Sequence, residues 1–460
     1  MTAYVTTNPA TGKTEKTFPE LDDAAVSDVL GRVTDAYPGW RATPAADRAR
    51  ILVRVAEAYE ARSDELAALI ATEMGKPVKE AAGEVALAAS IYRWYAEHGP
   101  DLLTRETLDP QGAQESVVQT EPIGPLVGVM PWNFPYYQVA RFVAPNLVVG
   151  NTIVLKHAPI CAASAEVMDE IFHTAGVPAD VYVNVYATNE QIADMIADPR
   201  IQGISLTGSE RAGASVAETA GRNLKKAVLE LGGSDAFIVL DDADVARTAK
   251  VAARARLMNG GQACNSPKRM IVPTDKVEEF VSVLVSTFEA TEHGDPTDSG
   301  TRLGPLSSVA ARDGVAEQVR RAVDQGATLH TGGEVPDGDG AFLRPAVLTG
   351  VTKDMDAYSE EIFGPVAVVY GVDSVDEAVT LANDVSYGLS GSVWSGDIER
   401  AQEIADRLEV GMAYVNEHGT TLPGLPFGGV KRSGFGRELG RWGMGEFVNT
   451  RLRRTAKPKG

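Results

Sequence analysis

Between Gly124 and about Leu240, short apolar runs alternate with helical segments, and no other feature limits the fold so strongly. The runs cover residues 126–130, 152–155, 181–185, 201–206 and 227–231. Stretches such as 164–174 and 190–197 between them carry helical spacing. Alternation of this kind predicts a parallel, doubly wound sheet with helices on its faces. A second set follows: apolar runs at 237–240, 269–272 and 366–372, with helical patterns over 276–290, 311–325 and 375–383. It reads as a second α/β domain. Upstream, Ile51, Leu52, Val55, Tyr59, Leu66, Leu69 and Ile70 predict a helix over 47–74, which Gly75-Lys76-Pro77 ends. A further helix is predicted over 78–98. Residues 116–122 alternate like an extended strand after a loop marked by Pro110 and Gly112. Residues 447–455 look like a terminal strand before a basic tail.

A length of 460 residues divided by about 150 gives about three domains. With 44% hydrophobic and 23% charged residues the chain has the make-up of a soluble globular protein. It has no apolar run of about 18 residues, so no membrane span is expected. Met1 to Asn8 lack the basic and apolar regions of a secretory signal. A formal charge of −20 opposes binding to DNA, RNA or anionic membrane. The six histidines are scattered, with no HExxH and no CxxC, so no metal site is expected. Two cysteines in a chain this large point to a reducing, cytoplasmic setting.

One of those thiols, Cys264, lies in Asn259-Gly260-Gly261-Gln262-Ala263-Cys264-Asn265-Ser266. Small residues and glycines leave room for a carbonyl to approach the sulfur, whereas a packing thiol would be flanked by apolar bulk. Glu230 sits in the apolar run Val228-Leu229-Glu230-Leu231. Burial raises a carboxyl pKa and suits it to general-base work near neutral pH. Asn133, in Met130-Pro131-Trp132-Asn133-Phe134-Pro135, offers an amide donor to a developing oxyanion. In Thr207-Gly208-Ser209-Glu210 a strand runs through Gly-Ser into a helix, which presents backbone N–H groups to a pyrophosphate. Gly434-Phe435-Gly436-Arg437-Glu438-Leu439-Gly440 is a near miss to a dinucleotide fingerprint with no βαβ unit after it, and reads as a decoy. Arg141 can hold a carboxylate bidentately. Each residue alone has a plainer reading: an inert thiol, a hydrogen-bonded glutamate, a capping asparagine, an ordinary tight turn, a surface ion pair. Their occurrence together and in this order favours the chemical readings.

That ordered set resembles the aldehyde dehydrogenase superfamily over nearly the whole chain. The segments that carry it are Pro131-Trp132-Asn133-Phe134-Pro135, Gly208-Ser209, Glu230-Leu231-Gly232-Gly233, Gly261-Gln262-Ala263-Cys264, Glu360-Glu361-Ile362-Phe363-Gly364-Pro365 and Pro426-Phe427-Gly428-Gly429 with the residues to Gly434. Within the superfamily, residues 132–141 and Leu155-Lys156-His157-Ala158-Pro159 look most like bacterial succinate-semialdehyde dehydrogenases.

The resemblance implies an α/β fold of the aldehyde dehydrogenase type. Its expected parts are a doubly wound, Rossmann-type cofactor domain (residues 1–103 and 123–232), an α/β catalytic domain (233–430) and a small β bridging or oligomerisation arm (104–122 and 445–460) that makes a homodimer or homotetramer. It implies Cys264 as nucleophile, Asn133 as oxyanion donor and Glu230 as the base that activates water. Trp132, Lys156, His157, Pro159, Gly208, Ser209, Leu231, Glu361 and Phe363 are the expected cofactor contacts. Many NAD-using relatives have a glutamate where this chain has Pro159. Without that carboxylate NADP is expected to be preferred, with NAD also usable. Arg141, Tyr137, Met258 and Phe427 are expected to line the substrate pocket. A second arginine found in some succinate-semialdehyde enzymes is Met258 here, so aromatic or medium-chain aldehydes are a competing expectation. A cysteine thioesterase or acyl-transferase is the competing class.

Overall fold

The computed structural model describes residues 4–458. The first three residues and the last two, part of the expected basic tail, lie outside them. Each of the five apolar runs between Gly124 and Leu240 forms a strand: Pro125–Met130, Thr152–His157, Tyr182–Asn184, Gly203–Thr207 and Lys226–Glu230. All five are parallel to one another, and the first, second and fourth are nearly or wholly buried. Strands covered on both faces need continuous apolar runs, which is why the pattern was legible.

The spatial order decides where a ligand fits. From Pro125–Met130 the chain steps to Thr152–His157 and Tyr182–Asn184 on one side. It then returns to Gly203–Thr207 and Lys226–Glu230 on the other. The topology reverses between Pro125–Met130 and Gly203–Thr207, and a crevice opens beyond the carboxyl ends of such strands. The loop after Met130 and the turn after Thr207 lie there. The short strand Gly434–Phe435 adds antiparallel to Lys226–Glu230, with Gly434 opposite Glu230. The glycine-rich segment that resembled a phosphate loop is thus an edge strand against the base-bearing strand.

A second sheet of seven strands is ordered Thr328–Thr331, Ala346–Thr349, Val366–Val372, Pro267–Pro273, Asp235–Val239, Ser390–Trp394 and Met412–Val415. Only the first pair is antiparallel. A third sheet joins Glu106–Leu108, Glu115–Pro122 and Val448–Thr455. Among the described residues no helix is long and apolar enough to cross a membrane.

One local expectation changes, and one helix lay outside the predicted set. The helix predicted over 47–74 is two helices, Ala45–Ala61 and Ser63–Met74, with Arg62 outside helical angles between them. Asp64 and Glu65 fall in the second helix's first turn, where its dipole favours negative charge. The helix Pro135–Val149 carried no visible period because all fifteen residues are buried. A helix apolar nearly all round shows no amphipathic stripe.

Candidate active site

Cys264 lies between the helix Val245–Leu257 and the strand Pro267–Pro273. The path there runs through left-handed backbone at Asn259, Gly260 and Gly261, conformations that favour Gly and Asn. At Gly261 a Cβ would sit 2.3 Å from the Gly364 carbonyl oxygen, so the loop packs directly on the 361–365 segment. Arg256, wholly buried, joins the two. Its guanidinium donates to Gly261 O (3.2 Å), Ser266 Oγ (2.9 Å), Ile362 O (2.7 Å) and Val366 O (2.6 Å). Burial pushes the Cys264 thiol up to about 12; Arg141 and Lys268 oppose this, while Glu361 and Asp235 add to it. Both cysteines are free, and Cys161 is buried.

Asn133 follows the strand Pro125–Met130, and its carboxamide is oriented from two sides. Its Oδ1 accepts from Gln138 Nε2 (3.0 Å), and its Nδ2 donates to Gln262 O (3.0 Å). One N–H of the amide is left for an oxyanion, since a carboxamide nitrogen has two. The Asn133 carbonyl accepts from Asn259 Nδ2 and from Lys76 Nζ, both at 2.9 Å. Lys76 in turn pairs with Glu84, whose Oε1 accepts the N–H groups of Tyr136 (2.9 Å) and Tyr137 (3.2 Å) at the start of the helix Pro135–Val149. Sequence reasoning singled out none of Gln138, Lys76, Glu84, Arg256 and Asn259, because none lies in a motif of its own.

Glu230 ends its strand in a buried position, and neither carboxylate oxygen has a hydrogen-bond partner among the described residues. Burial holds its pKa well above the ordinary carboxylate range; Arg141 opposes this and Glu438 reinforces it. An unpartnered carboxyl that lines the same cavity as the thiol is suited to accepting a proton from water once it ionises.

Glu230, Cys264 and Asn133 line one cavity of about 290 Å³, together with Trp132, Gly208, Ser209, Leu231, Glu361 and Phe363. Trp132 and Phe363 meet edge to face, with centroids 5.8 Å apart. Gly208 and Ser209 precede the helix Glu210–Arg222, with Ser209 as its N-cap. This is the crevice at the reversal of the six-stranded sheet. Lys156 is nearly buried 5.8 Å from the Tyr4 ring, and among the described residues no carboxylate pairs with it. Pro159 opens the short 3-10 turn just beyond.

Three of the expected contacts have surroundings that the sequence did not show. His157 is buried with both ring nitrogens engaged, Nε2 with Pro135 O (3.0 Å) and Nδ1 with the Ala158 N–H (2.8 Å), and burial lowers its pKa to about 4. Its two ring nitrogens brace the loop. Met258 is 42% exposed and lies at the surface, whereas Tyr137 and Phe427 are buried with their rings 6.4 Å apart. Arg141 is no free cation: it is 1% exposed and paired with Glu438. It also donates to Tyr137 Oη (3.1 Å) and Thr207 Oγ1 (3.0 Å) and lies over the Phe427 ring. Tyr137 and Arg141 share one helix face at i, i+4 spacing, which sequence shows. Glu438 comes from a distant segment, so sequence could not show that it neutralises the arginine.

The profile of the aldehyde dehydrogenase family matches residues 2–452. The chain is 54% identical over 457 residues to the succinate-semialdehyde dehydrogenase [NADP(+)] of Deinococcus radiodurans, covering 99% of this chain and 95% of that one. It is 40% identical over 448 residues to the succinate semialdehyde dehydrogenase [NAD(P)+] Sad of Escherichia coli, covering 97% of each. A crystal structure of succinic semialdehyde dehydrogenase from Streptococcus pyogenes in complex with NADP+ superposes with a TM-score of 0.97 at 43% identity. The match covers 99% of this chain and 100% of that one.

Proposed function

The chain belongs to the aldehyde dehydrogenase family, and from that premise we propose that it oxidises succinate semialdehyde to succinate, with Cys264 as nucleophile and NADP+ as the preferred acceptor. The observation that carries the reading is that a thiol, an unpartnered buried carboxyl and an amide donor line the same cavity as the residues expected to hold a dinucleotide.

The cavity's residues fit such a cofactor. Trp132 and Phe363 offer apolar faces, and the turn Gly208-Ser209 opens a helix N-terminus to phosphate. Glu361 offers a carboxylate to ribose hydroxyls. Lys156 supplies a nearly buried ammonium without an acidic partner among the described residues, and Pro159 places no carboxylate beside it, which favours a 2'-phosphate. When bound, the nicotinamide accepts the hydride that leaves the aldehyde carbon.

The protein's own residues do the rest. Cys264, as thiolate, attacks the carbonyl carbon and forms a thiohemiacetal. The free N–H of Asn133 and the backbone N–H of Cys264 hold the oxyanion. Loss of hydride leaves a thioester on the sulfur. Glu230 then takes a proton from water, the resulting hydroxide attacks the thioester, and the acid leaves as Cys264 is freed. Tyr137 and Phe427 shield the pocket with aromatic surface. Three of the five Arg141 N–H bonds face Glu438, Tyr137 and Thr207, and at 1% exposure the guanidinium acts on a substrate carboxylate through its field. Because Glu438 already offsets the charge, the preference for an acidic aldehyde is weaker than a free guanidinium would give.

In this reading the six-stranded sheet belongs to the cofactor domain, the seven-stranded sheet to the catalytic domain and the three-stranded sheet to the arm. The eight-residue edge strand Val448–Thr455, exposed after its first residue and with Leu452 61% exposed, supports pairing between subunits as a homodimer or homotetramer. A reducing cytoplasmic setting, in which both thiols stay free, belongs to the same reading.

Steady-state kcat/KM with succinate semialdehyde, hexanal and benzaldehyde, each with NADP+ and NAD+, tests it. Highest values are expected for succinate semialdehyde with NADP+. Higher values for hexanal or benzaldehyde would replace the substrate. Ester hydrolysis without NADP+ or NAD+ reduction would replace the reaction class.

A further inference from the structure

Lys268 is a buried lysine that the reaction as described does not use. It stands four residues after Cys264, in the strand Pro267–Pro273, and is 3% exposed. Its ammonium donates to the carbonyl oxygens of Cys264 (2.8 Å) and Ala263 (3.1 Å), with Ser266 O at 3.5 Å. It also pairs with Glu361 Oε1 at 3.2 Å. The same Oε1 accepts the N–H of Gly233 at 3.1 Å. One buried cation therefore joins the nucleophile loop to a carboxylate in the wall of the cofactor cavity. A buried ammonium needs compensation, and here Glu361 and the loop carbonyls share it.

The second partner is the one that can leave. The carbonyls of Ala263 and Cys264 belong to a loop held by Arg256 and packed on Gly364, whereas the Glu361 side chain is partly exposed and faces the cavity. A ribose that hydrogen-bonds to Glu361 draws the carboxylate toward the cavity and away from the ammonium. At the sulfur the opposed fields of Lys268 and Glu361 then cancel less.

We propose that Lys268 is a positioning residue that reports cofactor binding to the nucleophile: when the cofactor engages Glu361, the ammonium is left to the Ala263 and Cys264 carbonyls, and the thiolate of Cys264 becomes more available. The proposal rests on Glu361 being a cofactor contact. The other groups around the sulfur are Arg141 and Tyr137 on the helix Pro135–Val149, Glu230 and Asp235 on their strands, and Tyr414 on Met412–Val415. None of these bridges the nucleophile loop and the 361–363 segment as Lys268 does. Asp235 also lies in the field of the Lys268 ammonium, but its carboxylate is held in place by the Ser390 N–H and hydroxyl and does not face the cofactor cavity.

The test is the pH profile of Cys264 alkylation by iodoacetamide, with and without saturating NADPH, whose dihydronicotinamide carries no positive charge to act on the sulfur. NADPH affinity is measured separately by fluorescence. In the parent, NADPH is expected to raise the alkylation rate at pH 7 by about tenfold, the change that one pKa unit makes in thiolate population. Lys268→Met is expected to move the profile to higher pH and to abolish the NADPH response, while Lys268→Arg restores part of it. Glu361→Gln is expected to give the unliganded enzyme the faster rate and little further response. Equal NADPH responses in the parent and Lys268→Met overturn the proposal. If Lys268→Met does not fold, a Glu361→Gln profile identical to the unliganded parent overturns it. Unchanged NADPH affinity in Glu361→Gln instead refutes the cofactor contact, and the proposal falls with it. A parent without an NADPH response also overturns it.

Discussion

Replacing Arg141 with leucine tests the electrostatics of the site most directly. The guanidinium is buried between Glu438, Tyr137, Thr207 and the Phe427 ring, and Glu230 lies within its field. Leucine keeps the apolar contact with Phe427 but takes from the buried carboxyls of Glu230 and Glu438 the guanidinium that most offsets their charge, with Arg437 still acting on Glu230. Leaving one member of a buried pair uncompensated costs about 3–5 kcal/mol. The cost depends on pH in a definite sense. Burial already raises the Glu438 pKa, and Arg141 opposes that rise. Without Arg141 the folded value climbs further above the ordinary value of about 4.3, so the folded state binds more protons than the unfolded one. Stability therefore falls as pH rises through that interval. Urea unfolding should show a smaller loss at pH 5.5 than at pH 8, because the loss grows as Glu438 ionises. Glu230 loses the same counter-charge, so the rising limb of the turnover profile should move to higher pH. A double variant, Arg141→Leu with Glu438→Leu, should recover much of the stability at pH 8. A single variant within about 1 kcal/mol of the parent at pH 8, with no dependence on pH, would refute the argument.

Glu230→Gln removes the proton acceptor but leaves the thiol, so a burst of NADPH near one equivalent should precede steady turnover slowed by about 10²–10⁴. In the parent, turnover should climb with pH through a value well above the usual carboxylate range, because Glu230 works only when ionised. Lys156→Met should raise KM for NADP+ far more than for NAD+, which parallel titrations would show; equal effects would remove the ammonium from 2'-phosphate recognition. Glu84→Ala strips Lys76 of its buried partner and the Tyr136 and Tyr137 N–H groups of their acceptor, and should cost about 3–5 kcal/mol in urea unfolding. Near-parental stability there would mean the pair does not brace the Asn133 loop.

Several features of this protein can be read from the chain without the fold. The five apolar runs after Gly124 give five strands, because strands covered on both faces need continuous apolar sequence. The Gly-Ser turn ahead of Glu210 and the Asn-Gly-Gly approach to Cys264 are equally local, since they follow from which residues tolerate a cap or a positive φ. Those rules placed a thiol, a carboxyl and an amide in turns and strand ends, and the order of the strands brought them to one crevice. The charges followed no such rule. His157 reads as a ligand until its two nitrogens are found spent on Pro135 and Ala158. Arg141 reads as a free cation until the strand Gly434–Phe435 pairs with Lys226–Glu230 and brings Glu438 against it. Lys268 stands out only once Glu361, nearly a hundred residues away, meets its ammonium. Backbone preference and apolar periodicity act over a few residues and are written in sequence. The state of a buried charge depends on its neighbours in space, and only the tertiary structure chooses them.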